Sequence, residues 1–509
     1  RNIDIPRDWT NRRIFIDLAR VSTDAVIFVN GINCGQIPWP YGTIEITKVA
    51  KPGQNTLSIL VVAVSDEKEK TVIMDSTEIY REKSNLQSRG IIGEVRVFSV
   101  PPGPLISDLF VQTSTRKKQI KLDVELKDVA QNGQVELIAQ MLDEKGKVEQ
   151  KFTGTAQVQA KPNQTVQVQW NWPNPRLWDV GKPNLYTLQL EVKGSGVNTQ
   201  YGQPFGFREF WIEGRKFFLN GTELRLRPNM HSDSWEGGIV EVSDSLIDSY
   251  VKAGFNITEM WPWNHDERGK WHFRELFSER ADLKGFPIMA PALDITPLAW
   301  SGKWKNRQLN DRWKALMATE MRRYRNHPSI LMWATSPNFF SNADDLNPRR
   351  IGKRKVEGTI SKSENERLRV NTPPGNDALA AIKSADPTRP VMVHHGANFG
   401  DVYGVNTYLN MIPLQEREEW ISEWTKTGEM PYMAVEFGTP LHATMMRNRK
   451  GFGQVIVSEP WMTEFAAIYF GKQAYELETP TYKAKIREQF VKGQEYQSWH
   501  GKKELDFAP

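Results

Sequence analysis

Glu436 is the side chain that the sequence best equips for chemistry. It follows the apolar run from Tyr432 to Val435 and precedes Phe437-Gly438, the pattern of a strand that ends on a carboxylate. A carboxylate held at a strand end can attack an electrophilic centre or carry a proton. Trp261 and Trp263 flank Pro262 directly after the strand-like run Gly254 to Met260. Tryptophan packs in cores, and it also offers a flat platform for the apolar C–H faces of sugar rings. The 18 Trp of the chain leave both uses open, but Trp-x-Trp beside Pro262 at a strand end points Trp261 and Trp263 to a sugar-stacking pocket. His394-His395 lie on a strand-like run and read as core or interface residues. The single cysteine, Cys34, excludes an internal disulfide and reads as a small buried hydrophobe. No Cys/His spacing suggests a metal site, and nothing demands a cofactor.

The elements that must hold these residues change style along the chain. Residues 1–101 read as short strands, among them Arg13 to Leu18, Ala25 to Val29 and Thr56 to Val62, separated by turns such as Asn30-Gly31 and Pro52-Gly53. Strands without helices suggest a jelly-roll sandwich. Residues 102–209 continue with strands of period two, Ile120 to Leu126 and Thr165 to Trp170, and fit an immunoglobulin-like sandwich. From residue 210 to 509 helical and strand-like runs alternate. Ile239 to Ala253 and Arg307 to Arg325 carry helical spacing, and Ser329 to Trp333 reads as a strand. Alternation of this kind implies a parallel sheet and, at this length, a (β/α)8 TIM barrel with its chemistry at the strand C-termini. The Pro/Gly-rich, charged stretch 341–375 reads as a long loop, and Thr479 to Gln497 as a helix.

With 509 residues, 39% hydrophobic and 25% charged, the composition is globular and fits about three domains. A net charge of +5 gives no reason to expect nucleic-acid binding. The one strong basic run, Arg349 to Lys355, reads as a solvated loop. No apolar run approaches 18 residues, so no membrane-spanning helix is expected.

Taken in order, several segments resemble glycoside hydrolase family 2, whose members include β-galactosidases, β-glucuronidases and β-mannosidases. In the first 101 residues these are Phe28-Val29-Asn30-Gly31, Lys51 to Leu57 and Arg89 to Val95. Leu177-Trp178 and Pro183 to Tyr186 follow, then Phe205-Gly206-Phe207-Arg208, Phe218 to Gly221 and His231. Asn326-His327-Pro328-Ser329-Ile330 to Trp333, Asp386 to Pro390 and Met433 to Gly438 complete the series. The resemblance implies a divergent, exo-acting retaining β-glycosidase that acts on a carbohydrate. Glu436 takes the nucleophile position, Asn406-Thr407-Tyr408 the strand whose tyrosine bonds that nucleophile, and His231 a substrate-lining position. Trp461 falls where the family closes the pocket with an aromatic ring. A retaining pair needs two carboxyl groups about 5–5.5 Å apart.

The resemblance also marks departures. After Trp333 the sequence runs Ala334-Thr335-Ser336-Pro337-Asn338, so Asn338 occupies the acid/base position and Pro337 that of a sugar-contacting asparagine. Glu259 stands where the family has arginine, and Pro291 where it has an acidic residue. Asparagine can donate a hydrogen bond but cannot deliver a proton. Glu259 is therefore the first substitute acid, ahead of Asp266, Glu267, Asp294, Asp344 and Asp345, which read as solvated loop groups. Beside Glu436 it would share a like-charge environment that raises a carboxyl pKa. Two other readings stay open: a catalytically impaired carbohydrate-binding protein and a structural adhesin. The chain reads as cut at both ends, and its expected setting is periplasmic or secreted.

Overall fold

The computed structural model describes residues 1–22, 24–38, 41–62, 90–91, 93–232, 240–261, 270–292, 303–335, 349–355, 362–407 and 421–437. The chain divides into two compact units. One comprises Arg1–Trp211, Phe218–Ser336 and Thr372–Val391; the other comprises Ile212–Phe217, Pro337–Asn371 and Met392–Pro509.

The first unit opens with a β-sandwich. Asn2–Ile5, Gly53–Val62, Asp24–Val29 and Ile32–Ile37 pair in that order, and Gly42–Glu45, Arg13–Leu18 and Val95–Val100 form a second sheet. Alternation sets the packing. In Arg13–Leu18 every second side chain is buried, so Ile14, Ile16 and Leu18 join Ile27 and Val29 in one core. Cys34 is half-buried at the margin of that core, not enclosed as its sequence context suggests.

A second sandwich follows directly. Leu105–Ser114, Gln119–Lys127 and Asn163–Asn171 face a sheet ordered Val148–Val158, Gly133–Leu142, Tyr186–Gly194, Val197–Phe205. Ile120, Leu122, Val124 and Leu126 are each 0% exposed. Burying four such side chains contributes about 6–12 kcal/mol before the entropy of ordering the chain is set against it. Trp172 closes one end of this core, its ring 5.0 Å from that of Tyr186 and 5.4 Å from that of Phe207.

Beyond the sandwiches, still in the first unit, strands and helices alternate: β1 (Pro228–Ser232), α1 (Val240–Lys252), β2 (Ile257–Trp261), α2 (Lys270–Lys284), β3 (Ile288–Pro291), α3 (Arg307–Tyr324) and β4 (Ile330–Thr335). Strands β1 to β4 lie side by side in chain order and are parallel throughout. Each of the first two helices stops on a glycine. Gly254 and Gly285 take positive φ (+89° and +64°), Phe255 N–H reaches back to Tyr250 O, and Phe286 N–H to Ala281 O. These closures satisfy the helix-end carbonyls and turn the chain into the next strand. Asn306 caps α3 by accepting from Leu309 N–H at 3.2 Å.

Helix α4 (Lys362–Ala385) corrects the expectation of a loop for residues 362–375, while 341–348 and 356–361 lie outside the described residues. It runs through Pro373 and Pro374, whose missing N–H groups cost two helical hydrogen bonds, and its last turns pack Ala378, Ile382 and Ala385 inward. The apolar spacing after the prolines prevails over the local composition. The chain passes from one unit to the other within β5 (Val391–Val393).

The second unit holds the parallel pair β6 (Tyr403–Thr407) and β7 (Tyr432–Phe437), with the short helix α5 (Ser422–Thr427) between them in sequence. Its core gathers Ile351, Tyr403, Val405, Trp424 and Met430. The basic run 349–355 keeps its solvated reading at Arg349, Arg354 and Lys355, which are exposed, and departs from it between them. Ile351 and Arg350 are buried, and Lys353 Nζ donates to Thr427 O at 2.7 Å, joining Arg215, which donates to Trp424 O at 2.7 Å, on the terminal carbonyls of α5. His394 and His395 are buried, as a core reading requires.

Candidate functional site

The described candidate site residues lie on the parallel strands in two groups, and Glu259, expected at a strand end, is the third of the five residues of β2. In the first unit Asn256 sets the register. Its Oδ1 accepts from Arg227 N–H at 2.7 Å and its Nδ2 donates to Arg225 O at 2.7 Å, extending the ladder between β1 and β2 by one side chain. That pairing aligns Met230 with Glu259, His231 with Met260 and Ser232 with Trp261. Glu259 in turn pairs with Met289 of β3. Glu259 is 5% exposed, among Ile257, Thr258 and Met260, all buried. A carboxylate so enclosed is retained only when bonds to other groups offset its desolvation. Pro291 ends β3 opposite Ala334 of β4.

In the second unit β6 and β7 run parallel with Tyr403 opposite Tyr432 and Val405 opposite Ala434. The register then slips by one residue, and Asn406 becomes the partner of Glu436, Thr407 of Phe437. The irregularity falls between Val405 and Asn406, so the slip itself brings the Asn406 and Glu436 backbones side by side. Trp263, Asn338, Tyr408 and Trp461 lie outside the described residues, as do Asp266, Glu267, Asp294, Asp344, Asp345 and the helix expected over 479–497. Among the described residues no group of three or more His, Cys, Asp or Glu could hold a metal ion, and no helix is long and apolar enough to cross a membrane.

The foot of β4 is fixed by a buried polar lattice. Arg208 donates from Nε to Pro328 O (3.0 Å) and from Nη2 to Ile330 O (2.7 Å). Arg389 donates to Ile330 O (2.6 Å), to His327 O (2.9 Å) and to Asp386 Oδ2 (2.6 Å). Asp386 also accepts from Trp333 Nε1 at 2.8 Å and from the Thr388 N–H and hydroxyl. Burial pushes the Asp386 carboxyl up, but Arg389 and the bonds from Thr388 and Trp333 together hold it below its ordinary value. Asp282 completes the lattice: its carboxylate meets His327 Nδ1 at 2.6 Å and Ser329 N–H at 2.9 Å, while its carbonyl accepts from Trp178 Nε1 at 2.9 Å. Asn326 ties the lattice to the second sandwich, accepting from Val111 N–H at 2.9 Å and donating to Leu109 O at 2.7 Å.

Much of the motif series therefore builds the frame of the strands. Trp178 and Trp333 are fully buried and act structurally, which settles for them the choice between core and sugar platform. Asp282 was not singled out from sequence. Its partners Trp178, His327 and Ser329 lie far along the chain, and no local pattern announces it. Asn256 belonged to a recognised segment, but its clamping role had no sequence signature.

The family description "Glycosyl hydrolases family 2" matches residues 105–208, the second sandwich. A β-glucuronidase of Paenibacillus borealis is 22% identical over 480 residues, covering 85% of this chain and 72% of that protein. A β-galactosidase of Thermoanaerobacterium thermosulfurigenes is 24% identical over 482 residues, covering 87% of this chain and 57% of that protein. Among solved structures, Bacteroides uniformis β-glucuronidase 2, covalently bound to cyclophellitol-6-carboxylate aziridine, superposes with TM-score 0.61 at 19% identity, over 86% of this chain and 53% of its own. A family 2 glycosyl hydrolase of Bacteroides cellulosilyticus gives TM-score 0.61 at 16% identity, over 88% of this chain and 57% of its own. The chain is similar to members of glycoside hydrolase family 2, and its β-sandwiches fit the fold of these solved structures. It spans little more than half the length of the two solved structures.

Proposed function

We propose that this chain is an exo-acting retaining β-glycosidase that hydrolyses O-glycosidic bonds of an oligo- or polysaccharide. The proposal divides it into a jelly roll (1–101), an immunoglobulin-like sandwich (102–209) and a (β/α)8 barrel (210–509). Glu436 is the nucleophile. The observation that carries this is the pairing of Asn406 with Glu436 at the ends of two parallel strands, where barrel enzymes place their reacting groups. In the first step the Glu436 carboxylate attacks the anomeric carbon, the glycosidic bond breaks, and a glycosyl ester forms. In the second step water cleaves the ester with net retention. His231, Trp261, Trp263, Asn406, Tyr408 and Trp461 form the sugar-binding surface of the proposal.

The leaving oxygen needs a proton, and Asn338 has none to give. The proposal assigns that proton to Glu259, a buried carboxyl at the middle of β2. General acid catalysis is worth about 10²–10⁴-fold, so its loss is diagnostic. The test is a panel of aryl β-glycosides graded by leaving-group pKa. The unaltered protein is expected to hydrolyse the panel, and Glu436→Gln to be inert throughout. Glu259→Gln should lose about 10²–10⁴-fold on poor leaving groups and little on activated ones. Equal loss on all leaving groups would remove Glu259 from the acid role. The substitution of Asn338 favours a second reading, a sugar-binding protein without turnover. It predicts calorimetric sugar binding while the unaltered protein is as inert as Glu436→Gln on every substrate.

A further inference from the structure

At the foot of β4, where the second sandwich meets the parallel sheet, lies a cavity of about 30 Å³. Space of that size admits about two water-sized guests. Its wall carries three buried arginines, Arg208, Arg325 and Arg389, together with Asn326, Thr388 and Glu209. Most of the charges around it are paired. Arg389 is paired with Asp386, Arg325 with Asp108, and Glu209 with Arg116. Arg208 bonds only carbonyl oxygens through Nε and Nη2, and no carboxylate among the described residues forms an ion pair with it. It is 6% exposed; burial and then Arg389 work against its charge, and the more distant carboxylates of Asp386, Asp282 and Glu209 offset this only in part, so its pKa stays below the ordinary value. A second observation points the same way. The Nε of Arg325, a residue 9% exposed, is buried and meets no hydrogen-bond acceptor. A buried cation costs several kcal/mol unless a counter-charge offsets it, and a buried N–H seeks an acceptor. One small anion in the cavity would answer both needs.

We propose that this cavity is a seat for a monovalent inorganic anion of the chloride class, held by Arg208 and Arg325, which locks the sandwich to the foot of β4. Guanidinium groups are weakly hydrated and suited to buried anions. Because the anion binds the folded chain only, it stabilises the fold by mass action.

The probe is chloride itself, on the full chain. Chloride-35 NMR should show excess line broadening that saturates with chloride and is displaced by bromide. Arg208→Gln should abolish it. At constant ionic strength, exchanging gluconate for chloride should raise the denaturation midpoint of the unaltered protein and leave that of Arg208→Gln unmoved. Broadening that never saturates, or that Arg208→Gln leaves intact, overturns the proposal and leaves the cavity to water. A bromide-soaked crystal of the unaltered protein needs no variant. An anomalous peak within hydrogen-bond distance of Arg208 and Arg325 supports the seat, and its absence at saturating bromide refutes it.

Discussion

Replacing Asp386 by asparagine tests the lattice under β4 most directly. Asp386 is 0% exposed, and its carboxylate accepts from Arg389, Trp333 and twice from Thr388. The amide is nearly isosteric, so no cavity opens. Its NH2 must nonetheless face donors. On one side they are Arg389 and Trp333, and on the other the Thr388 N–H and hydroxyl, of which only the hydroxyl can reverse its role. The substitution also strands Arg389, 3% exposed, without its counter-charge. Breaking a buried ion pair from one side costs about 3–5 kcal/mol, and one lost hydrogen bond to a charged group about 1.5–3 kcal/mol within that figure. Asp386→Asn is therefore expected to destabilise the first unit by about 3–5 kcal/mol. The assay is guanidinium denaturation followed by tryptophan fluorescence, since Trp333 is itself a partner and Trp178 lies in the same lattice. A midpoint lowered at unchanged slope is the expected result. A cost below about 0.5 kcal/mol would refute the view that this pair holds the foot of β4, because surface changes alone reach that size. A cycle with Arg389→Met should give strong coupling between the two positions.

Gly206→Ala places a Cβ 2.7 Å from Pro328 Cβ and 2.8 Å from Trp178 Cβ. Neither neighbour can yield easily, so thermal unfolding should show a loss of about 1–3 kcal/mol. Asn326→Ala leaves Val111 N–H and Leu109 O without their partner, and the same measurement should register about 1–3 kcal/mol. Acid stability follows from the depressed carboxyls, Asp386 and also Asp244, which is lowered chiefly by its bond from Arg280. A carboxyl whose folded pKa lies below its unfolded value of about 3.9 adds stability above that value and loses it as pH falls through the folded one. Denaturation midpoints should therefore fall below about pH 4, and the fall should be shallower in Asp386→Asn.

The sequence by itself determined the elements. Period-two alternation marked Gln119–Lys127, helical spacing marked Arg307–Tyr324, and Gly254 marked where a helix gives way to a strand, because periodicity, capping and positive φ are local properties. The flanking apolar residues likewise put Glu436 near a strand end, whereas Glu259, read the same way, lies at the middle of β2. Only the tertiary structure decided what those elements touch. The partnership of Asp282 with Trp178 and His327, and the seating of Arg208 against Pro328, join residues that no local pattern links. The basic run at 349–355 looked solvated because composition says nothing of the helix end that Lys353 caps. Helix α4 looked like a loop because two prolines obscured the apolar spacing that packing rewards. Asn406 stands beside Glu436 because the ladder slips one residue after Val405, and a slip in register depends on two strands at once, which neither strand's sequence encodes alone.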